Sequence, residues 1–227
     1  PVTAPATPEY TYVDIVNRLL DTKALAVGYS GEKSAEFTSY HRNSKYSNGK
    51  YSSWDANGDG GQYISKTADG GFLIAEMDGP GYISRIWSAT ASTGHVKIYV
   101  DGNEEPIVDL SFENYFTGRK SPFNYPGLCY SDSGQGKNCY VPITYNKSCK
   151  VVAYGDWGKY YHVNYTTLPE GASVESMPKT FSAEQKEALS KVSNFFRSSL
   201  SEHPEGLPEA QFESIKVSKN APYTKII

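Results

Sequence analysis

The sequence predicts an all-β fold: a β-sandwich of jelly-roll type, with a short N-terminal helix and a C-terminal amphipathic helix. Three observations point there. Between residues 62 and 168, seven or eight short segments of strand character follow one another, separated by Pro-Gly, Asp-Gly, Asn-Lys and Gly-Asp steps. Composition agrees: 19 Tyr, 9 Phe, 3 Trp, 20 Gly and 13 Pro suit strands, half-wet surfaces and turns. Helical periodicity is confined to the two flanks of this region.

Taken in order, residues 1–10 read as a disordered Pro/Thr/Ala spacer of the kind left after a signal is removed. The expectation is therefore a secreted, periplasmic or cell-surface bacterial protein. Residues 11–20 read as a helix, capped by Thr11 with Asp14 and apolar along Val13, Val16, Leu19 and Leu20. Residues 28–61 are polar and lack periodicity, so a long surface loop is expected. Strands are expected at 62–65, 71–77, 81–90, 95–102, 104–112, 139–145, 149–155 and 160–168. In the fourth of these, Val96, Ile98 and Val100 alternate with polar neighbours and the run stops at Asp101-Gly102. After residue 180 the period turns helical: Ser182 with Gln185 reads as a capping box. Ala188, Leu189, Val192, Phe195, Phe196 and Leu200 form one apolar face. The expected organisation is a jelly-roll domain over 11–180, a helix over 181–206, and the start of a second β unit over 207–227 whose pattern continues beyond the chain.

Several partner classes are disfavoured. With 22 basic and 25 acidic residues the net charge is −3, and no basic stripe points to nucleic acid. No window approaches the run of about 18 apolar residues needed to span a membrane. Cys129, Cys139 and Cys149 are three, an odd count whose ten-residue spacing does not fit zinc. Three buried thiols is the preferred reading, with one disulfide plus a free thiol as the alternative. No nucleophile elbow, HExxH or GxGxxG is present, and the four His lack metal-ligand spacing.

The candidate site residues lie in a few segments. SSWDANGDGG, residues 52–61, places Asp55, Asn57 and Asp59 on alternate positions before Gly60, with Trp54 ahead of them. That is the first half of a calcium loop, but the twelfth position, where a bidentate carboxylate belongs, is Lys66. No metal or cofactor is therefore assigned. The competing readings are a sugar-facing loop and a plain solvated turn, with a looser calcium site on Asp55, Asn57 and Asp59 as the fallback. TSYHRNS, residues 38–44, puts Tyr40 beside His41 and Arg42, a group able to stack on a ring and donate to hydroxyls. GPGYISRIW, residues 79–87, puts Arg85 and Trp87 on one strand face, either as a sugar platform or as core. FENYF, residues 112–116, offers Glu113 among aromatic residues, where a carboxyl can act as an acid, against the plainer reading of a surface glutamate.

These segments, in this order with IYVDGNEEP, GKNCYVPITYNKSCKV and YYHVNYTTLPEG, resemble the N-terminal part of glycoside hydrolase family 172, also known as domain of unknown function 2961. The resemblance covers residues 11 to about 200. It implies jelly rolls, usually two in tandem, assembled as trimers or larger homo-oligomers. It implies oligo- or polysaccharide substrates of the fructofuranoside or arabinofuranoside class, cleaved with retention by two glutamates. The resemblance places that pair in a second half, so no catalytic residue is assigned here. The alternative is a non-catalytic β module that binds glycan or assembles subunits. The substrate-contact candidates are Tyr40, Arg42, Trp54, Asp55, Asn57, Asp59, Arg85 and Trp87. The resemblance carries over all of these but Trp54, with Asn138 and Tyr140 behind them: the loop residues as contacts to substrate or to a neighbouring subunit, and Arg85 and Trp87 as supporting or core residues. His41 stands where the family pattern has Asp, which implies a difference in specificity.

Overall fold

A computed structural model describes residues 7–53, 58–89, 93–132, 135–157 and 159–198. The chain begins with Glu9–Tyr10 (β1), helix Tyr12–Asn17 (α1) running into a 3-10 turn at Arg18–Leu20, and Ala24–Val27 (α2). Then come Lys33–Thr38 (β2), Lys45–Ser47 (β3), Lys50–Ser53 (β4), Ser65–Lys66 (β5), Phe72–Asp78 (β6), Gly81–Ala89 (β7), His95–Val100 (β8) and Val108–Ser111 (β9). Helix Phe112–Phe116 (α3) precedes Cys129–Ser131 (β10), Gly136–Cys139 (β11), Ile143–Tyr145 (β12), Ser148–Tyr154 (β13), Tyr160–Thr167 (β14), Ser173–Val174 (β15) and helix Ala183–Ser198 (α4).

The strands form a β-sandwich. One sheet runs β10-β11-β7-β14-β2, with β12 also on β7; the other runs β5-β6-β13-β8-β9. Alternation delivers the core: Val96, Ile98 and Val100 of β8 are all buried, as are Val151 of β13 and Val163 of β14. Phe112, Tyr115 and Phe116, one turn apart on α3, close one region of the core around Trp157.

Both helix caps form as the sequence specifies. The Thr11 hydroxyl accepts from Asp14 N while the Asp14 carboxylate accepts from Thr11 N. Ser182 and Gln185 do the same for α4. The Glu175 carboxylate ties both helices down, accepting from Tyr12 N and from the Gln185 amide, each at 2.9 Å. The buried faces differ from expectation. On α1 the fully buried residues are Tyr12, Ile15 and Val16, while Val13, Leu19 and Leu20 are half-buried. On α4 Ala188, Leu189 and Val192 are buried, but Phe195 and Phe196 are exposed. Leu200 and the expected end of that helix lie outside the described residues, as does the expected β unit over 207–227.

Other corrections have plain causes. The loop expected over 28–61 contains β2, β3 and β4. Strand β2 is the edge of its sheet and four of its six residues are exposed, so it carries no alternating apolar signal. The spacer over 1–10 is ordered by residue 9, where β1 pairs in parallel with β15. The strand expected over 139–145 is two, β11 and β12, with Pro142 between them, where no ladder donor is available. Ser111 caps α3, so β9 ends before FENYF and Glu113 sits on that helix.

The decisive irregularity is in β7. Asn164 pairs with Arg85 but Tyr165 pairs with Ile83, leaving Ser84 as an extra residue. A bulge of this kind shifts the phase of alternation. Gly81 and Ile83 are buried before it; Ile86 and Ser88 are buried after it. Arg85 and Trp87 are thereby turned to the outer face, although they are two and four residues from core-facing Ile83.

Candidate functional site: a polar and aromatic band beside a tyrosine-lined cleft

Register across β2, β14, β7, β11 and β10 sets one row of side chains on the outer face. Thr38 and Glu36 stand opposite His162 and Asn164; these stand opposite Trp87 and Arg85; Trp87 stands opposite Asn138, and Asn138 opposite Tyr130. The contacts knit the row together. Glu36 Oε2 accepts from Asn164 Nδ2 at 3.0 Å and lies 3.0 Å from His162 Nδ1. A carboxylate only accepts, so Nδ1 carries the hydrogen in that contact. The His162 ring meets Trp87 edge-on, centroids 5.2 Å apart. Arg85 Nε and Nη2 both donate to Asn138 Oδ1, at 3.2 and 2.9 Å, and the guanidinium lies 5.7 Å from the Tyr140 ring. Tyr140 in turn stacks near Tyr130, whose phenol is pushed up by burial and then by Tyr140. At Gly136 a Cβ would stand 3.0 Å from the Trp87 indole nitrogen and 2.6 Å from an Asp132 oxygen, so a side chain there would push on both.

At the His162 end the band opens into a cleft of about 980 Å³. Its walls include Tyr40, His41, the β3-β4 hairpin and Asp59. The hairpin turns through Asn48 and Gly49, both at positive φ (52° and 74°), as a two-residue turn that matches strand twist. It presents Tyr46 and Tyr51, rings 4.7 Å apart. Tyr40, Tyr46 and Tyr51 are 54, 63 and 57% exposed, an unusual display of ring surface around one opening. The His41 ring packs directly on Gly58, where a side chain would collide with it. That contact joins the residue 38–44 segment to the NGDGG segment.

Arg42 is placed beside the cleft but is occupied internally. Its Nη1 donates to Tyr40 O at 3.1 Å, and its Nη2 to Thr38 O at 2.9 Å and the Tyr161 hydroxyl at 3.1 Å. The guanidinium also covers the Tyr40 ring at 4.1 Å. Arg42 therefore holds the loop in shape and sets Tyr40. Burial pushes the Tyr161 phenol up, and the neighbouring Arg42 charge opposes that shift.

Two of the sequence segments, 38–44 and 79–87, thus meet through His162, which lines the cleft and touches Trp87. Asp59 is half-buried at the cleft wall; Trp54, Asp55 and Asn57 lie outside the described residues. Glu113 does not join the site: its aromatic neighbours Phe112, Tyr115 and Phe116 face inward, while Glu113 itself is exposed. Sequence reasoning missed Glu36, His162, Asn164, Tyr46 and Tyr51. For the two tyrosines a signal existed in Asn48-Gly49, the strongest short hairpin signature. Among the described residues no group of three His, Cys, Asp or Glu is placed to hold a metal ion. Nor is any described helix long and apolar enough to cross a membrane.

Comparison with known proteins places this architecture. No curated protein matches the chain. Among solved structures, the catalytic domain of a GH87 alpha-1,3-glucanase variant in complex with tetrasaccharides aligns at 14% identity and a TM-score of 0.21. That alignment covers 60% of this chain and only 28% of the glucanase chain, a likeness too slight to carry an argument. The family model for the GH172 first beta-sandwich domain matches residues 30–188, which takes in both sheets, the cleft residues and the outer band. The chain belongs to glycoside hydrolase family 172 and contains its first β-sandwich domain.

Proposed function

We propose that this chain is the N-terminal part of a secreted bacterial furanosidase, acting on fructofuranosides or arabinofuranosides with retention, and that it binds and orients the glycan. The observation that carries this reading is the continuous surface from Tyr46 and Tyr51 through His162 to Trp87 and Arg85. Sugar rings pair apolar C–H faces with a rim of hydroxyls. Exposed aromatic faces take the former, and Glu36, Asn164 and the Arg85–Asn138 pair offer acceptors and donors to the latter. Retaining hydrolysis needs two carboxyl groups about 5–5.5 Å apart. Glu36 is the carboxylate within the band, and the catalytic glutamates are proposed to lie outside this chain. The assembly is proposed to be a homo-oligomer, a trimer or a multiple of one.

The isolated 227-residue chain is expected to bind fructan or arabinan oligosaccharides but not to turn over aryl furanosides. Titration calorimetry should show Trp87→Ala and Glu36→Gln each weakening binding by about tenfold, roughly 1.4 kcal/mol. Clear turnover by the purified chain would sink the assignment of catalysis elsewhere, and Glu36 in the band and Asp59 at the cleft wall would then be the carboxylates to replace. A second reading, a subunit-assembly module, draws on exposed Phe195, Phe196 and Tyr130. No glycan binding, together with an oligomer that Phe196→Ser dissociates, would favour it.

A further inference from the structure

Cys129 and Cys139 face each other across β10 and β11, paired in register. Tyr140 N donates to Leu128 O at 2.9 Å, one residue outside the pair on each strand, and Cys129 N donates elsewhere, to Tyr125 O. The two cysteines therefore occupy a non-hydrogen-bonded site of the antiparallel ladder, where Cα atoms come closest, about 4.5 Å, and side chains lean together. That spacing falls in the range a disulfide spans, about 4.4–6.8 Å between Cα atoms. The sulfurs are 3.0 Å apart, inside the contact distance of two unbonded sulfur atoms, and both residues are buried. Cys149 lies apart from them on β13 of the opposite sheet.

We infer that Cys129 and Cys139 close a cross-strand disulfide in the mature protein, leaving Cys149 as the free thiol. A small disulfide oxidant such as oxidised glutathione supplies the chemistry. The Cys139 thiolate attacks one glutathione sulfur and expels a glutathione thiolate, forming a mixed disulfide. The Cys129 thiolate then attacks Cys139 Sγ and expels the second. Two electrons pass to the oxidant, and the two thiol protons leave on two reduced glutathione molecules. Burial holds the Cys129 thiol well above its usual range, so the folded pair exchanges slowly and the bond forms during folding. The bond staples the edge of the outer sheet and fixes the strand that carries Asn138 beneath Arg85.

The test refolds the full chain from urea in a glutathione redox buffer, alkylates remaining thiols and digests with trypsin. Lys137 lies between the two cysteines and Lys147 follows Cys139, so each of the three cysteines falls on its own peptide. The expected result is one cross-linked species joining the Cys129 and Cys139 peptides, with Cys149 alkylated. Tm should fall by about 5–10 °C on reduction of the wild type, and Cys139→Ser should lose that dependence on reductant. Alkylation of all three cysteines, glutathione adducts at Cys129 or Cys139, or a link through Cys149 would each overturn the inference. The wild-type peptide map decides even where the serine variant fails to fold.

Discussion

At the scale of single residues, Asp101 shows how much one side chain can organise. It ends β8 at positive φ (58°), and its Oδ1 accepts from Asn146 N at 2.8 Å and Lys147 N at 2.6 Å. Its Oδ2 accepts from the Ser176 hydroxyl. A hydrogen bond to a charged group contributes about 1.5–3 kcal/mol, and less where the freed donor reaches water or another acceptor, as Lys147 N and Asn146 N do here. Asp101→Ala should therefore lower urea stability by about 3 kcal/mol. Asp101→Asn, which keeps one acceptor and tolerates the left-handed backbone, should lose about half of that. Equal losses in the two variants would remove the carboxylate from the explanation. Gly58 matters in a different way, by leaving room. Gly58→Ala should shift the imidazole NMR resonances of His41 and leave those of His95 in place, at a stability change under about 1 kcal/mol. Unmoved His41 signals would mean that the two loop segments are not coupled through this contact. Neither role is legible in the sequence. Asp101-Gly102 reads only as a turn, and His41 reads as one of a polar and aromatic group and as a departure from a family pattern, not as a partner of Gly58.

At the scale of elements, the bulge in β7 is what makes the outer band. Period-two alternation alone would place Ile83, Arg85 and Trp87 on one face, and Ile83 is 1% exposed. The inserted Ser84 lets the strand bury Ile83 and Ile86 and still turn Arg85 and Trp87 outward. Deleting Ser84 should restore strict alternation with Ile83 and Ile86 still facing the core and Arg85 and Trp87 still facing out. A loss below about 2 kcal/mol in urea stability is therefore expected, and below about 1 kcal/mol for Ser84→Ala, whose hydroxyl makes a single 3.3 Å bond to Asn164 O. A loss above about 4 kcal/mol on deletion would mean that the strand realigns and drives Arg85 and Trp87 inward. Strand β2 illustrates the opposite limit of sequence reading. Its exposed residues carry no hydrophobic period, yet the strand brings Glu36 to His162 and Asn164 through a register fixed by β14.

At the scale of the whole molecule, the core is unusually rich in buried phenols. Tyr12, Tyr115, Tyr145 and Tyr161 are each fully buried, and burial is the largest cause raising each of them above the ordinary tyrosine value. A folded-state pKa raised above the unfolded one gives stability that is present below the unfolded pKa, about 10, and is lost as pH climbs past it. The urea midpoint should hold to about pH 9 and fall steeply above about pH 10. A flat midpoint through pH 11 would contradict this. The sequence by itself determined the all-β class, the alternating core strands, both helix caps and the family. These rest on local patterns: a period of two, a turn residue, a cap three residues from its partner. Only the tertiary structure decided that Arg85 and Trp87 face outward, that Arg42 is tied up internally, and that Glu36, His162 and two hairpin tyrosines join the surface. The physical reason is that a bulge, an edge strand and a cross-sheet contact are set by pairing between residues distant in the chain; His162 and Glu36 are 126 positions apart. No local pattern encodes which of those distant partners will meet.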